Sequence, residues 1–293
     1  MSGAAPRADF EGCVARLMWA GHQLNALDEE FRIWMREHDP HSTTVEYYPE
    51  ANVHLFRLSN QPPPLRFGVV AGNIVHQLRA TLDNLVWQLV FLNGKTPRGG
   101  VGGNQFPIMS NLKEGQTFSD ETGSKLRGVS PSHAAQIERL QPYMSPDWPT
   151  DISPPLNQHP LGRLASLSNA DKHQVLKAVR VEESRPPLAV DFNSDTADPI
   201  SVCGWAAPED RHPGAIVGWV QATPDGFHPD MYMEYAGWGL LVFEDGLPII
   251  GCLRAIAGIV HLIVTGFSIH RADDPGLPAL SPQLVEQVAA QPH

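Results

Sequence analysis

The chain has 293 residues, of which 42% are apolar, and a formal net charge of −11 at pH 7. This size and apolar content can build a hydrophobic core in one large domain or two smaller ones, while the acidic balance argues against a basic groove that follows a nucleic-acid backbone. The cysteines Cys13, Cys203 and Cys252 are far apart, with neither a CxxC pair nor zinc-finger spacing. Since the N-terminus also lacks a signal-peptide pattern, we expect a reduced, cytoplasmic protein.

The first half of the chain is predicted to be mainly helical. Its expected elements are a long helix at 7–38, short strands at 43–48 and 52–58, a second long helix at 67–92, and short helices at 131–140 and 160–167. The two strands flank turn residues and predict a hairpin. An Asn-Gly pair just after the second long helix indicates where that helix ends.

The first helix carries a stripe of residues spaced alternately four and three apart, which is typical of a helix packed lengthwise against another. The stripe consists of Phe10, Val14, Leu17, Gly21, Leu24, Asp28, Phe31 and Met35. Gly21 would allow a close approach of the two helices. Asp28 is a carboxylate at an expected apolar position, and we interpret it as a residue turned toward solvent where the stripe drifts around the helix.

The second half of the chain changes to short β-like runs. These runs lie at 175–181, 188–192, 200–205, 215–221 and 231–243, and they are separated by turn residues. They predict an antiparallel sheet of four or five strands. A last long helix is expected at 247–270.

This order of elements predicts an α+β fold, with a bundle of three long helices and an antiparallel β-sheet formed mainly by the C-terminal half. We expect a single domain over residues 1–275 and a Pro-rich tail over residues 276–293. The domain would combine a helical part, about 7–170, an antiparallel sheet, about 174–243, and the closing helix.

The apolar stretch at 247–267 is long enough to be considered as a membrane span. Arg254 and His261 lie inside it, however, and an arginine near the middle of a bilayer costs about 2.5–3.5 kcal/mol. A buried core helix explains the same residues without this cost. We therefore expect no association with a membrane.

The second long helix has only three ionisable residues between Gly72 and Trp87, namely His76, Arg79 and Asp83. A helix with a solvated face normally carries more charges, so these groups are expected to be buried. One interpretation is structural, with an Arg79–Asp83 ion pair and a hydrogen-bonded His76 holding helices in register. In the other, Arg79 binds an anion while His76 and Asp83 transfer protons.

The sequence SNADKH at 168–173 is predicted to be a turn between a helix and a strand, where functional residues are often found. It places Asp171, Lys172 and His173 on consecutive positions. The turn could also be a simple Asx-type turn. Together with the helix, it predicts a catalytic or binding site for a small ligand that bears a phosphate or carboxylate group, without a cofactor. A metal site is less favoured, because no HExxH-type spacing is present and Lys172 would lie beside the ion.

A second candidate site lies on the last helix, where Arg254 and His261 are two turns apart on one face. A structural interpretation is again open. Arg254 could pair with a buried carboxylate such as Asp83 or Asp28, and His261 could be a core histidine with its hydrogen bonds satisfied.

Several motifs of the chain form a recognisable set. The helix at 72–86 reads G-x-x-x-H-x-L-R-x-x-L-D-x-L-V. It is followed by Phe106-Pro107-Ile108, Leu140-Gln141-Pro142-Tyr143 and Asp171-Lys172-His173. In these motifs, over about residues 68–174, the chain resembles a widespread family of uncharacterised bacterial and phage proteins. The resemblance implies no known activity.

The last helix has a looser resemblance to HEPN-type helical domains, whose ribonuclease members carry an Arg, four to six residues and then a His. The resemblance implies that Arg254 would stabilise the strained phosphate of RNA and that His261 would act as general acid or base, without a metal and within a homodimer. A ribonuclease or defence toxin is therefore the first alternative to a small-ligand site. A non-catalytic structural or interaction protein is the second.

Overall fold

The computed structural model describes most of the chain. The undescribed residues are 1–7, 39–42, 59–61, 146–147, 149–157, 173, 184–188, 192–199, 206–215, 223–231, 235–237 and 270–293. The chain divides into two compact units, each built from segments that are distant in sequence. The helical unit comprises Met1–Asp28, Arg66–Lys177 and Leu247–His293, and the strand-rich unit comprises Glu29–Leu65 and Ala178–Gly246. The α+β fold is confirmed. The predicted tail at 276–293 lies outside the described residues.

The described helices match the predicted ones closely. They are α1 (Glu11–His38), α2 (Leu65–Leu92), α3 (Phe118–Thr122), α4 (Pro131–Arg139), α5 (Pro160–Asp171) and α6 (Ile249–Ile269), with a 3-10 turn at Pro142–Met144. The short α3 was not predicted. Its signal is a capping box in which Thr117 and Asp120 satisfy each other's backbone N–H groups, as is typical of a helix start.

The first part of α1 packs lengthwise and antiparallel on α2, as the stripe predicts. The Asp9 N–H donates to Oε1 of Gln88 at 2.9 Å, and Arg16 donates to Oε1 of Gln77 at 3.3 Å. The residue numbers of the contacts increase along α1 while they decrease along α2, so the two helices run in opposite directions. These bonds lie on a solvent-exposed edge of the contact, so they set the register of the two helices more than their stability.

The buried stripe of α1 is displaced from the predicted one. The buried apolar residues of α1 are Cys13, Ala20, Leu24, Leu27, Phe31 and Trp34. Of the predicted stripe, Leu24 and Phe31 are buried, whereas Val14 is 44% exposed. Gly21 was wrongly predicted as a point of close approach, because no atom would lie within 4 Å of an added Cβ there. Apolar residues occupy two neighbouring stripes of α1, and spacing alone does not choose between them.

The helix α6 is the apolar centre of the helical unit. Among the described residues it is the one helix long and apolar enough to cross a membrane, and 67% of that stretch, Ile249–Ser268, is buried inside the protein. Its Phe267 ring meets the edge of the buried His133 on α4, with ring centroids 5.9 Å apart. The burial fits the core-helix interpretation of this segment.

The strand-rich unit contains eight described strands. They are β1 (Thr43–Tyr48), β2 (Val53–Leu58), β3 (Ala178–Glu183), β4 (Ala189–Asp191), β5 (Ile200–Trp205), β6 (Ile216–Ala222), β7 (Tyr232–Glu234) and β8 (Trp238–Phe243). The hairpin of β1 and β2 is confirmed, with Thr43 opposite Leu58. Six of the eight strands come from the C-terminal half, but they do not form one sheet.

One four-stranded antiparallel sheet has the order β1-β2-β6-β5, so its strands come from both halves of the chain. Val53 of β2 lies opposite Gln221 of β6. The strands β3 and β8 form a separate antiparallel pair, and β4 and β7 form another. Pairing with the N-terminal hairpin therefore replaces part of the predicted meander.

Candidate functional site

One stripe of α2 carries all three of its predicted site residues. Gly72, His76, Arg79 and Asp83 follow each other at spacings of four, three and four, which places them on a single face of the helix. The opposite side of α2 is held in the core by residues such as Leu78 and Leu85, which are fully buried. The helix is therefore fixed in rotation about its own axis, and the stripe faces a defined direction.

Arg79 and Asp83 together hold the backbone of Phe106. Nη2 of Arg79 lies 3.0 Å from Oδ1 of Asp83 and also donates to the carbonyl oxygen of Phe106. The Phe106 N–H donates to Oδ1 of Asp83 at 2.9 Å. The two side chains thus bind both polar groups of one buried residue, as a neighbouring strand would. This geometry matches the structural interpretation of the pair.

The neighbours of Asp83 and its burial have opposite effects on the pKa of its carboxyl group. Burial raises the pKa of the Asp83 carboxyl, whereas Arg79, the Phe106 N–H, Lys172 and Lys125 each lower it. Burial also lowers the pKa of Arg79, which Asp83 raises again. The side chains of Arg79 and Asp83 are 20% and 31% exposed, so this end of the stripe is half-buried and rich in charge.

The end of α5 meets the N-terminal half of α2. A Cβ atom added at Gly72 would overlap the Asp171 carboxylate, with Cγ of Asp171 only 2.9 Å away. One turn earlier, a Cβ atom at Gly68 would overlap the backbone carbonyl of Leu176. Two glycines on one face of α2 therefore allow Asp171 and Leu176 to lie directly against the helix. The helix α2 therefore meets the end of α5 at Asp171.

The predicted turn at 168–173 was wrong in its conformation. Residues as far as Asp171 belong to the last turn of α5, and Lys172 is the C-terminal cap of this helix. The reason is that the helical pattern of Leu164 and Leu167 continues by one more turn than the apolar residues alone indicate. His173 lies outside the described residues.

His76 was wrongly predicted to be buried. It is exposed, although Arg79 and Asp83 on the same stripe are half-buried. The physical reason is that the segment around Phe106 covers the Arg79–Asp83 end of the stripe through hydrogen bonds that bind those two residues. His76 lies on the solvent side of that cover, one helical turn beyond the contact of Gly72 with Asp171.

Sequence reasoning missed Asn104, which organises the loop beside the site. Oδ1 of Asn104 accepts from the Arg98 N–H at 2.8 Å, and its Nδ2 donates to the carbonyl oxygens of Lys125 and Arg127 at 3.0 and 2.9 Å. Asn104 is 4% exposed. It therefore ties the glycine-rich segment before Phe106 to the chain around Lys125. Its position two residues before the Phe-Pro-Ile motif is the signal that could have drawn attention to it.

Two other sequence motifs, Leu140–Tyr143 and Phe106–Ile108, lie in a structural arrangement. Gln141 is fully buried, and its Oε1 accepts from the Met109 N–H at 3.0 Å while its Nε2 donates to the carbonyl oxygen of Ile137 at 2.9 Å. The Tyr143 N–H donates to the carbonyl oxygen of Met109 at 3.3 Å. The Leu-Gln-Pro-Tyr motif is thus bonded to Met109, the residue that directly follows the Phe-Pro-Ile motif.

At the second candidate site, Arg254 pairs with Asp28 at 2.8 Å, one of the two partners considered from the sequence. Asp28 is 16% exposed, so its interpretation as a solvent-facing residue was wrong, and this pairing explains its place in an apolar stripe. The Arg254 side chain is 42% exposed. His261 is exposed as well, which contradicts its interpretation as a core histidine.

No protein-family model, curated protein or solved structure matches the chain. In the part of the chain that the structure describes, no three His, Cys, Asp or Glu side chains are grouped so that they could hold a metal ion. The chemistry of the candidate site must therefore be argued from its own side chains.

Proposed function

We propose that the chain binds a small anionic ligand, bearing a phosphate or carboxylate group, at a site formed by His76, Arg79, Asp83, Asp171 and Lys172. We call this surface the α2–α5 site. The observation that supports it best is the packing of Asp171 against Gly72, which joins the two segments that carry these residues. Cations on both segments also act on the same Asp83 carboxyl.

The side chains of the α2–α5 site divide into two groups. Arg79 and Asp83 are occupied by each other and by the Phe106 backbone, so they would supply charge and position the wall of the site. Lys172 and His76 are exposed, so their polar groups can meet a ligand from solvent. An ammonium group binds anions, and an imidazole can transfer a proton near neutral pH. His76 is therefore the residue proposed for acid–base chemistry on the ligand.

A thermal-shift measurement with inorganic phosphate and with acetate tests this proposal. The variants are His76→Ala and Lys172→Ala, and the matched controls are His22→Ala and Lys113→Ala, which remove exposed residues of the same types elsewhere. A ligand at about 100 times its Kd stabilises the folded state by about 2.7 kcal/mol. We expect this shift in the wild type and both controls, and its loss in the two site variants.

The melting temperatures without ligand separate binding from folding. All four variants change exposed side chains, so each should melt close to the wild type. The proposal would be contradicted by a wild type that responds to neither anion. It would equally be contradicted by site variants that respond as the controls do.

The solvent access of the Arg254 and His261 side chains on the mostly buried helix α6 favours the ribonuclease as a second candidate function. In that proposal the two residues would act on RNA, without a metal and within a homodimer. Overexpression of the wild type should then arrest growth, and His261→Ala should relieve the arrest. A harmless wild type, or an equally toxic His261→Ala variant, would argue against it.

The hold of Arg79 and Asp83 on Phe106 favours a purely structural role for that pair, as a non-catalytic interaction protein would have. In that case the double variant Arg79→Met, Asp83→Leu, provided that it folds, should restore the phenotype of cells from which the gene has been deleted as well as the wild type does. A folded double variant without the phenotype would exclude this role. We propose a cytoplasmic location for every candidate function, in keeping with the buried thiol of Cys13, which forms no disulfide within the described part of the chain.

A further inference from the structure

The Asp171 carboxylate is a half-buried hydrogen-bond acceptor within the α2–α5 site. It packs on Gly72, with its Cγ 2.9 Å from the position of an added Cβ. Within the described part of the chain, it accepts no hydrogen bond and forms no ion pair. Because a carboxylate that has lost part of its hydration needs a cation or a hydrogen-bond donor beside it, this position favours such a group on a ligand.

The place of Asp171 in its own helix also favours a bound cation. Asp171 is the last residue of α5, whose last turn contains no basic residue, and Lys172 follows as the cap. The C-terminal end of a helix carries a partial negative charge, which stabilises a cation and destabilises a carboxylate. The helix end therefore adds to the attraction of Asp171 for a cationic group.

An exposed apolar pair lies about one helical turn from Gly72 on the same side of α2. Val69 is three residues before Gly72 and is 44% exposed. Val175 is 42% exposed, and its Cγ1 lies 3.5 Å from the position of an added Cβ at Gly68. Covering such side chains with an apolar group of a ligand removes apolar surface from water, which is favourable.

The apolar pair, the carboxylate and His76 lie within the dimensions of a small molecule. Side chains three or four positions apart on a helix have Cβ atoms about 5–6 Å apart. Since Asp171 contacts position 72, its carboxylate lies within about 9 Å of the Cβ atoms of both Val69 and His76. The face of α2 thus presents an apolar surface, a carboxylate and an exposed imidazole in that order.

We propose that the ligand of the α2–α5 site is a small zwitterion with an apolar side chain, the class to which aliphatic α-amino acids belong. Its protonated amine binds the Asp171 carboxylate, its acidic group faces His76, and its side chain covers the apolar pair. This inference rests on the proposed function, and it narrows the ligand from any small anion to one that also carries a cation. An anion without an amine would instead bring a second negative charge close to Asp171.

Isothermal titration of the full chain tests the inference with leucine and three relatives that each lack one of its groups. Isocaproate lacks the amine, isoamylamine lacks the carboxylate, and glycine lacks the side chain. We expect the wild type to bind leucine about tenfold more tightly than each relative. This is the effect of about one charge-assisted hydrogen bond or of about two buried methylene groups.

Two variants assign the contacts to their residues. Asp171→Asn keeps the shape of the side chain, so it should lose the preference for leucine over isocaproate and still bind isocaproate at least as tightly as the wild type. Val69→Thr replaces an exposed methyl group by a hydroxyl group and should reduce the preference for leucine over glycine about fourfold. Val14→Thr is the matched control, because Val14 is also 44% exposed but lies on α1, and it should bind all four probes as the wild type does.

The outcomes separate this inference from the function on which it rests. Leucine that binds no more tightly than isocaproate, or an unchanged preference in Asp171→Asn, would overturn the amine contact and leave the small-anion site intact. Isoamylamine that binds as tightly as leucine would overturn the zwitterion, because the acidic group would then contribute nothing. An unchanged preference for leucine over glycine in Val69→Thr would overturn the apolar contact. The proposed function itself fails if neither inorganic phosphate nor isocaproate binds to the wild type.

Discussion

Three glycines inside helices give opposite predictions for the same substitution, alanine. In a helix interior, alanine is favoured over glycine by about 1 kcal/mol. At Gly21 nothing lies within 4 Å of the added Cβ, so Gly21→Ala should raise the free energy of unfolding by about 1 kcal/mol. At Gly68 the added Cβ would lie 3.0 Å from the carbonyl carbon of Leu176 and overlap its oxygen, and this backbone cannot rotate away. Overpacking costs about 1–3 kcal/mol, so Gly68→Ala should be less stable than Gly21→Ala by that amount.

Gly72→Ala is the variant that tests the candidate site. Its Cβ would overlap the Asp171 carboxylate, which is the end of a side chain and can be removed by a second substitution. Gly72→Ala alone should therefore lose most of the helix-propensity gain. In the background of Asp171→Ala, the same change should recover it and stabilise the chain by about 1 kcal/mol, as at Gly21.

Urea unfolding of each variant, extrapolated linearly to water, measures these free energies on one scale. The double-mutant cycle of Gly72 and Asp171 gives their coupling energy, which should exceed about 0.5 kcal/mol for residues in contact. If Gly72→Ala stabilises the chain as much as Gly21→Ala does with Asp171 still in place, then Asp171 does not pack on α2. The α2–α5 site would then lack the contact that joins its two segments.

Further predictions concern the polar groups around the site and the pH dependence of stability. Asp83→Leu leaves the buried Phe106 N–H without an acceptor and should cost about 1–3 kcal/mol in urea unfolding, whereas Asp83→Asn keeps an acceptor and should cost less; equal losses would refute the bond. Asn104→Ala removes three side-chain hydrogen bonds and should lower the free energy of unfolding by about 3 kcal/mol; Asn104→Asp keeps the acceptor but turns a buried carboxylate oxygen toward the carbonyl oxygens of Lys125 and Arg127, so its loss should be at least as large. Burial lowers the pKa of His159 from 6.5 to about 4, so the unfolded chain binds this proton before the folded one does. The free energy of unfolding should therefore fall by about 3 kcal/mol because of this residue as the pH drops from 6.5 to 4. His159→Gln should make the free energy of unfolding less dependent on pH over this range. An unchanged pH dependence in this variant would contradict the prediction.

The secondary structure followed from the sequence wherever a local pattern decides it. The strand at Ile200–Trp205 and the hairpin strand at Thr43–Tyr48 were predicted with their observed ends, because turn residues border each apolar run. The pairing of β2 with β6 could not be predicted, since nothing in either strand names its distant partner. In the same way, the sequence does not determine which of the two apolar stripes of α1 is buried, because this depends on the elements that pack against the helix.

The placement of the candidate residues on one face of α2 was predictable, but their burial was not. The spacing of His76, Arg79 and Asp83 places them on one face of α2, because helix geometry alone determines that. Which of them is covered depends on the path of the chain near Phe106. Two hydrogen bonds to other segments fix that path, one from Asn104 to Lys125 and one from Met109 to Gln141. The exposure of His76 therefore required tertiary structure.

The structural and the ligand-binding interpretations of the candidate site apply to different residues, so both can hold. Arg79, Asp83 and Gln141 spend their hydrogen-bonding groups on the backbone of neighbouring segments, and a substitution there would disturb folding whether or not a ligand exists. His76 and Lys172 are exposed, so packing of the core does not require these residue types at their positions. A loss of function in Arg79 variants would therefore say little about chemistry. The same loss in a stable His76→Ala or Lys172→Ala variant would report directly on the ligand.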